Sequence, residues 1–185
     1  MLQLANRDTY TIPLVRERII ALADFALIEH RMGRTQAAED SFLRATILVS
    51  DLYKPEHRIV TASTVARNLQ TAGYASLGAT SFNDAREAMS ALPENSLARD
   101  LAVRQIVINE ARSGLADESL SHAGDILDPY VAVPTLQAVA LTLQSQGNLD
   151  KANVALQQAR QTATQIENES LREKLVEKLM LAANE

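Results

Sequence analysis

The residues with the widest chemical range in this chain are three histidines, His30, His57 and His122. They lie far apart, and none stands in the HExxH spacing that puts two imidazoles on one helix face around zinc. His30 and His57 fall near expected helix ends, where the imidazole reads as a wet surface group. There is no Cys, which excludes a disulfide framework, thiolate zinc sites and thiol catalysis. Carboxylates adjoin at Glu39–Asp40 and Asp117–Glu118, and Asp125 and Asp128 fall about one turn apart. A calcium loop needs a denser alternation of oxygens around a glycine. A general acid/base pair needs two groups positioned on one reacting centre, and nothing here singles out such a pair. These carboxylates read as a solvated acidic face. The glycines form neither GxGxxG nor GxxxxGK[ST]: Gly73 and Gly78 stand in GYASLG, which lacks the lysine. GxSxG is absent as well. The sequence thus offers no catalytic, metal or cofactor site, and an enzyme ranks last among the functions weighed.

The bulk chemistry narrows the partners. Aromatic residues are only 4% of the chain and there is no Trp, so Ala and Leu must fill the apolar positions. Such a core suits helices packed closely on small side chains better than a β-sandwich. The net charge of −5 is uneven: residues 71–150 hold four Lys/Arg against ten Asp/Glu, a balance of −6. That argues against wrapping on nucleic acid, which needs clustered cations. No basic amphipathic face suits anionic lipid, and no apolar run approaches the roughly 20 residues of a membrane span. The opening MLQLANRDTYTIP lacks the basic start and apolar stretch of a signal peptide. The expectation is a soluble chain, cytoplasmic or periplasmic. A mature secreted protein or a domain cut from a longer chain would read the same.

The elements that would position any site emerge from four glycines, Gly33, Gly73, Gly114 and Gly147. Five, nine and twelve residues after Gly33 stand Ala38, Phe42 and Ala45. The same offsets give Gly78, Phe82 and Ala85, then Ser119, Ala123 and Ile126, then Ala152, Leu156 and Ala159. Seven before each glycine are Ala26, Ala66, Val107 and Ala140, and eight before are Phe25, Val65, Ile106 and Val139. A glycine that ends a helix at positive φ, small residues where two helices approach, and a large apolar residue between neighbours make physical sense of the pattern.

This pattern resembles the tetratricopeptide repeat over roughly residues 18–165. The glycine spacings of 40, 41 and 33 depart from the family's repeat of about 34. The family's first-helix Trp and Tyr are missing, and Pro55, Pro93 and Pro129 are loose counterparts of its proline. The resemblance implies an all-α, right-handed superhelix of about four helix hairpins, a non-catalytic scaffold for a protein or peptide. Helical periodicity agrees: Val15, Ile19, Leu22 and Ala26 recur at helix spacing, and Pro13 suits a first turn. After a lead-in over 1–12, a single domain over 13–185 is expected, with repeats at about 13–53, 56–92, 96–128 and 131–167. The helices are expected at 13–32, 35–51, 56–72, 75–91, 97–113, 115–127, 131–146, 148–167 and 169–183, the last a cap with Leu171, Leu175, Leu179 and Met180 on its inner stripe. Residues 92–95 read as a turn, with Ser96 as N-cap.

The first helices of such arrays line a concave side where peptides bind. Carried over from each glycine, that side holds Leu27 and His30, Arg67 and Gln70, Arg104 and Ile108, and Gln137, Leu141 and Gln144. The arginines near its middle point to a partner with acidic or C-terminal carboxylate character. The blander reading pairs Arg67 and Arg104 with acids of the acidic middle region. One subfamily grips chaperone tails with Lys and Asn in its first helix. This chain has Ala23 and Leu27 there, which argues against that activity. Two further readings stand beside the scaffold. One is a regulatory or sensor module of a larger protein that binds a small ligand or signalling peptide. The other is a self-assembly module in which array ends stack into a homo-oligomer.

Overall fold

The computed structural model describes residues 14–182. All regular structure among them is helical. The helices are α1 (Val15–Arg31), α2 (Thr35–Val49), α3 (Pro55–Thr71), α4 (Ala75–Ala88), α5 (Leu97–Arg112), α6 (Ala116–Ala123), α7 (Pro129–Ser145), α8 (Leu149–Ala163) and α9 (Glu169–Ala182), with a short 3-10 turn at Met89–Ala91. No helix among the described residues is long and apolar enough to cross a membrane. Pro13 and the lead-in over 1–12 lie outside the described residues.

The turn glycines behave as their spacing predicts. Gly33, Gly73, Gly114 and Gly147 take φ of +75°, +85°, +81° and +77°. The next residue's N–H then reaches back to an orphan carbonyl of the preceding helix: Arg34 to Glu29, Tyr74 to Leu69, Leu115 to Glu110 and Asn148 to Leu143, all at 2.9–3.0 Å. A Cβ on Gly114 would meet no atom within 4 Å. Gly114→Ala should therefore cost only backbone strain, about 1–2 kcal/mol. Denaturant unfolding of the full chain checks this, and an unchanged midpoint would mean that the turn does not depend on the left-handed conformation.

The chain divides at Leu92/Pro93 into two compact units. In the first, α1 packs on α2, α3 on α4, and α1 also lies against α3. Its core holds Ile19, Leu22, Phe42, Ile59, Leu69 and Phe82, all fully buried. In the second, α5 and α7 pack together, α6 covers both, α8 lies on α7, and α9 closes on α7 and α8. Its core is built from Ile106, Leu143, Leu156, Ile166 and Leu179. Every residue five, nine or twelve after a turn glycine is buried. Ser119, the polar exception among the small ones, is tolerated because its hydroxyl donates to the Val107 carbonyl at 2.9 Å.

Two helices end four residues early: α8, expected over 148–167, stops at Ala163, and α6, expected over 115–127, stops at Ala123. The buried carboxylate of Asp100 explains the early stop of α6. It accepts from the backbone N–H of Leu127 at 3.1 Å and of Asp128 at 2.9 Å. Those donors are thereby withdrawn from any continued helix. Asp128 then caps α7 by accepting from Tyr130 N at 2.8 Å, and Pro129 sits in the first turn, so α7 starts two residues earlier than expected. Ser96 caps α5 as expected, accepting from Arg99 N. In α9 the inner stripe is narrower than expected. Leu179 is buried and Leu175 half-buried, while Leu171 and Met180 are exposed.

Candidate functional site

In the first unit the carried-over residues are largely occupied. The Arg67 guanidinium donates to Asn68 Oδ1 from Nε at 3.2 Å and from Nη2 at 3.0 Å. Asn68 Nδ2 in turn donates to Asp24 Oδ1 at 2.8 Å, and Arg67 Nη2 lies 3.9 Å from the same oxygen. An acid partner was expected for Arg67 on the blander reading, but the acid comes from α1 rather than from the acidic middle. Gln70 Nε2 donates to the Ala75 carbonyl across the turn at 3.2 Å. His30 is half-buried rather than a wet surface group: its ring meets Tyr74 edge-on at 5.7 Å, and Tyr74 meets Phe42 at 5.6 Å. Leu27 is half-buried.

The second unit is different. On α5 and α7 the side away from the core keeps exposed and half-buried residues at helical spacing. On α5 the stripe runs Leu97, Leu101, Arg104, Ile108 and Arg112, in steps of four, three, four and four. On α7 it runs Tyr130, Pro134, Gln137, Leu141 and Gln144, in steps of four, three, four and three. The two helices pack together. Leu97 and Leu101, one turn apart on α5, are 59% and 45% exposed, and Tyr130 and Leu141 on α7 are 45% and 41% exposed. Arg104 and Arg112 are exposed, and no carboxylate stands at any of these ten positions. In a region with ten acids and four basic residues, this is a local reversal of sign. Arg104, Ile108, Gln137, Leu141 and Gln144 were expected here. Leu97, Leu101, Arg112, Tyr130 and Pro134 were not, although extending the helical period from Arg104 and Gln137 reaches all five.

Two polar pairs escaped the sequence reading. Glu29, four residues before Gly33, is buried and accepts from Ser41 Oγ at 3.0 Å. Glu110, four before Gly114, is 1% exposed and meets His122 Nδ1 at 2.9 and 3.0 Å through its two oxygens. Leu69 and Leu143 stand at the matching places before Gly73 and Gly147. In the glycine alignment the place four before each glycine thus alternates Glu, Leu, Glu and Leu. Among the described residues no group of three or more His, Asp or Glu could hold a metal ion.

No family model matches the chain. No curated protein matches it either. Among solved structures it is similar to the crystal structure of Ton1535 from Thermococcus onnurineus NA1, with a TM-score of 0.74 and 14% sequence identity. The match covers 97% of this chain and 54% of that one, so this chain spans about half the length of its structural neighbour. At that identity the likeness is one of fold, and it places the chain among all-helical proteins.

Proposed function

We propose that this chain is a non-catalytic scaffold that holds a protein or peptide, built as a tetratricopeptide-like right-handed superhelix of four hairpins closed by α9. The four left-handed glycines and the buried positions at fixed offsets from them support the repeat reading. The observation that carries the function is the α5/α7 face, with exposed Leu and Tyr side chains and the half-buried Ile108 beside Arg104 and Arg112. Apolar anchors beside an arginine are the features that concentrate binding energy at interfaces. A partner segment with apolar side chains and a carboxylate fits this face, since each guanidinium offers a two-pronged set of donors to a carboxylate.

The test compares the parent chain with an Arg104→Glu/Arg112→Glu variant. Both positions are exposed, so the variant should keep the parent's helical circular dichroism. Immobilised parent should retain a protein from the source lysate that the variant retains at least about tenfold less, the loss expected when charge-assisted hydrogen bonds become repulsions. Calorimetric titration of that partner should give the same ratio. Equal retention of the same protein by both would remove the face from the proposal.

A further inference from the structure

The early stop of α6 leaves a space on the other side of the second unit. With eight residues, against fifteen in α2 and fourteen in α4, α6 cannot cover the C-terminal half of α8. The result is a cavity of about 510 Å³ between α6, residues 124–127, α7 and α8. That lies within the roughly 300–1,000 Å³ of small-molecule sites. One wall is apolar, with Leu120, Ile126 and Leu136 largely buried beneath it. The facing wall is α8 and the turn after it, which present Gln158, Gln161 and Gln165. These recur about one helical turn apart and form no side-chain hydrogen bond to another described residue. None of the twelve lining residues is ionisable.

We infer that this cavity is a second binding site, for a small uncharged ligand bearing an aliphatic group and amide or hydroxyl groups. The lining decides the class. A charged ligand would lose hydration against walls that hold no opposite charge, which is costly. A purely apolar one would strip water from the glutamine carboxamides without replacing it. An aliphatic group of leucine size fills the Leu120–Ile126–Leu136 wall, while amides on the ligand exchange hydrogen bonds with carboxamides that both donate and accept. The site does not involve Arg104 or Arg112, so it stands or falls separately from the scaffold reading.

The test is an amide-shift NMR titration of the full chain with N-acetyl-leucinamide, and in parallel with N-acetyl-leucine, which carries a carboxylate at neutral pH. The expected result is saturable shifts at Leu120, Ile126 and Gln161 with the amide, and binding at least about tenfold weaker with the carboxylate. Gln161→Glu, at an exposed position, should weaken the amide at least about fivefold by removing a donor. Equal binding of the two probes would overturn the inference. So would an unchanged Gln161→Glu affinity, or shifts absent from the cavity at the solubility limit of the probe.

Discussion

Phe82→Ala should lower the stability of the chain by about 3–5 kcal/mol, and Phe42→Ala by a similar amount. Both side chains are 1% exposed, and they are the largest fully buried side chains in a core otherwise assembled from Ala, Val, Leu and Ile. Each removal leaves a cavity that rigid helix backbones can only partly close, so the lost contacts add to the lost transfer energy. Phe42 also gives up its edge-on contact with Tyr74. Urea unfolding followed by circular dichroism measures the effect as a lowered midpoint at unchanged slope. A variant that melts like its parent would mean that the glycine register, which singled out these two residues, does not describe the packing.

Asp100→Ala should cost about 3–5 kcal/mol, the sum of two hydrogen bonds from backbone donors to a charged acceptor. Asp100 is 4% exposed, and its two oxygens take one N–H each from Leu127 and Asp128. Without them, two backbone donors at the start of α7 lose their partner. Asp100→Asn retains one acceptor oxygen and should cost roughly half as much. Hydrogen exchange supplies the local readout: the amides of Leu127 and Asp128 should lose protection in the alanine variant. Wild-type protection there, together with wild-type stability, would show that the loop is held by its apolar contacts alone.

The fold was legible because its determinants are local and periodic. Apolar spacing marked the helices, and glycine with its flanking residues marked their ends, so eight of the nine helix starts fall within two residues of expectation at α1 through α8 and the last coincides at residue 169. The short α6 was not legible. What ends it is a carboxylate 27 residues upstream of Leu127, and Asp100 near the start of a helix reads as an ordinary first-turn acid. The candidate surface was half legible. Position relative to the glycine gave Arg104, Ile108, Gln137, Leu141 and Gln144, but could not tell that His30, Arg67 and Gln70 have partners inside their own unit. Side-chain pairing between separate helices leaves no mark on local spacing. The cavity was invisible for the same reason, since it is defined by the helix turns that α6 lacks.

The buried glutamates carry one more consequence. Helices that look alike can be shuffled during folding, and a first helix docked on the wrong second helix would still hide most of its apolar stripe. Apolar residues alone discriminate poorly between such assemblies. Glu110 does discriminate. Docked on α6 it finds His122, whereas docked in the same register on α8 it would face Ala155 and lose that partner. A carboxylate sealed away with a missing partner is penalised by several kcal/mol, enough to make the mispaired arrangement a minor species. In that register α2, α4, α6 and α8 present Ser41, Ser81, His122 and Ala155, so only α6 offers Glu110 an imidazole, and the buried acid works as an address for that one neighbour.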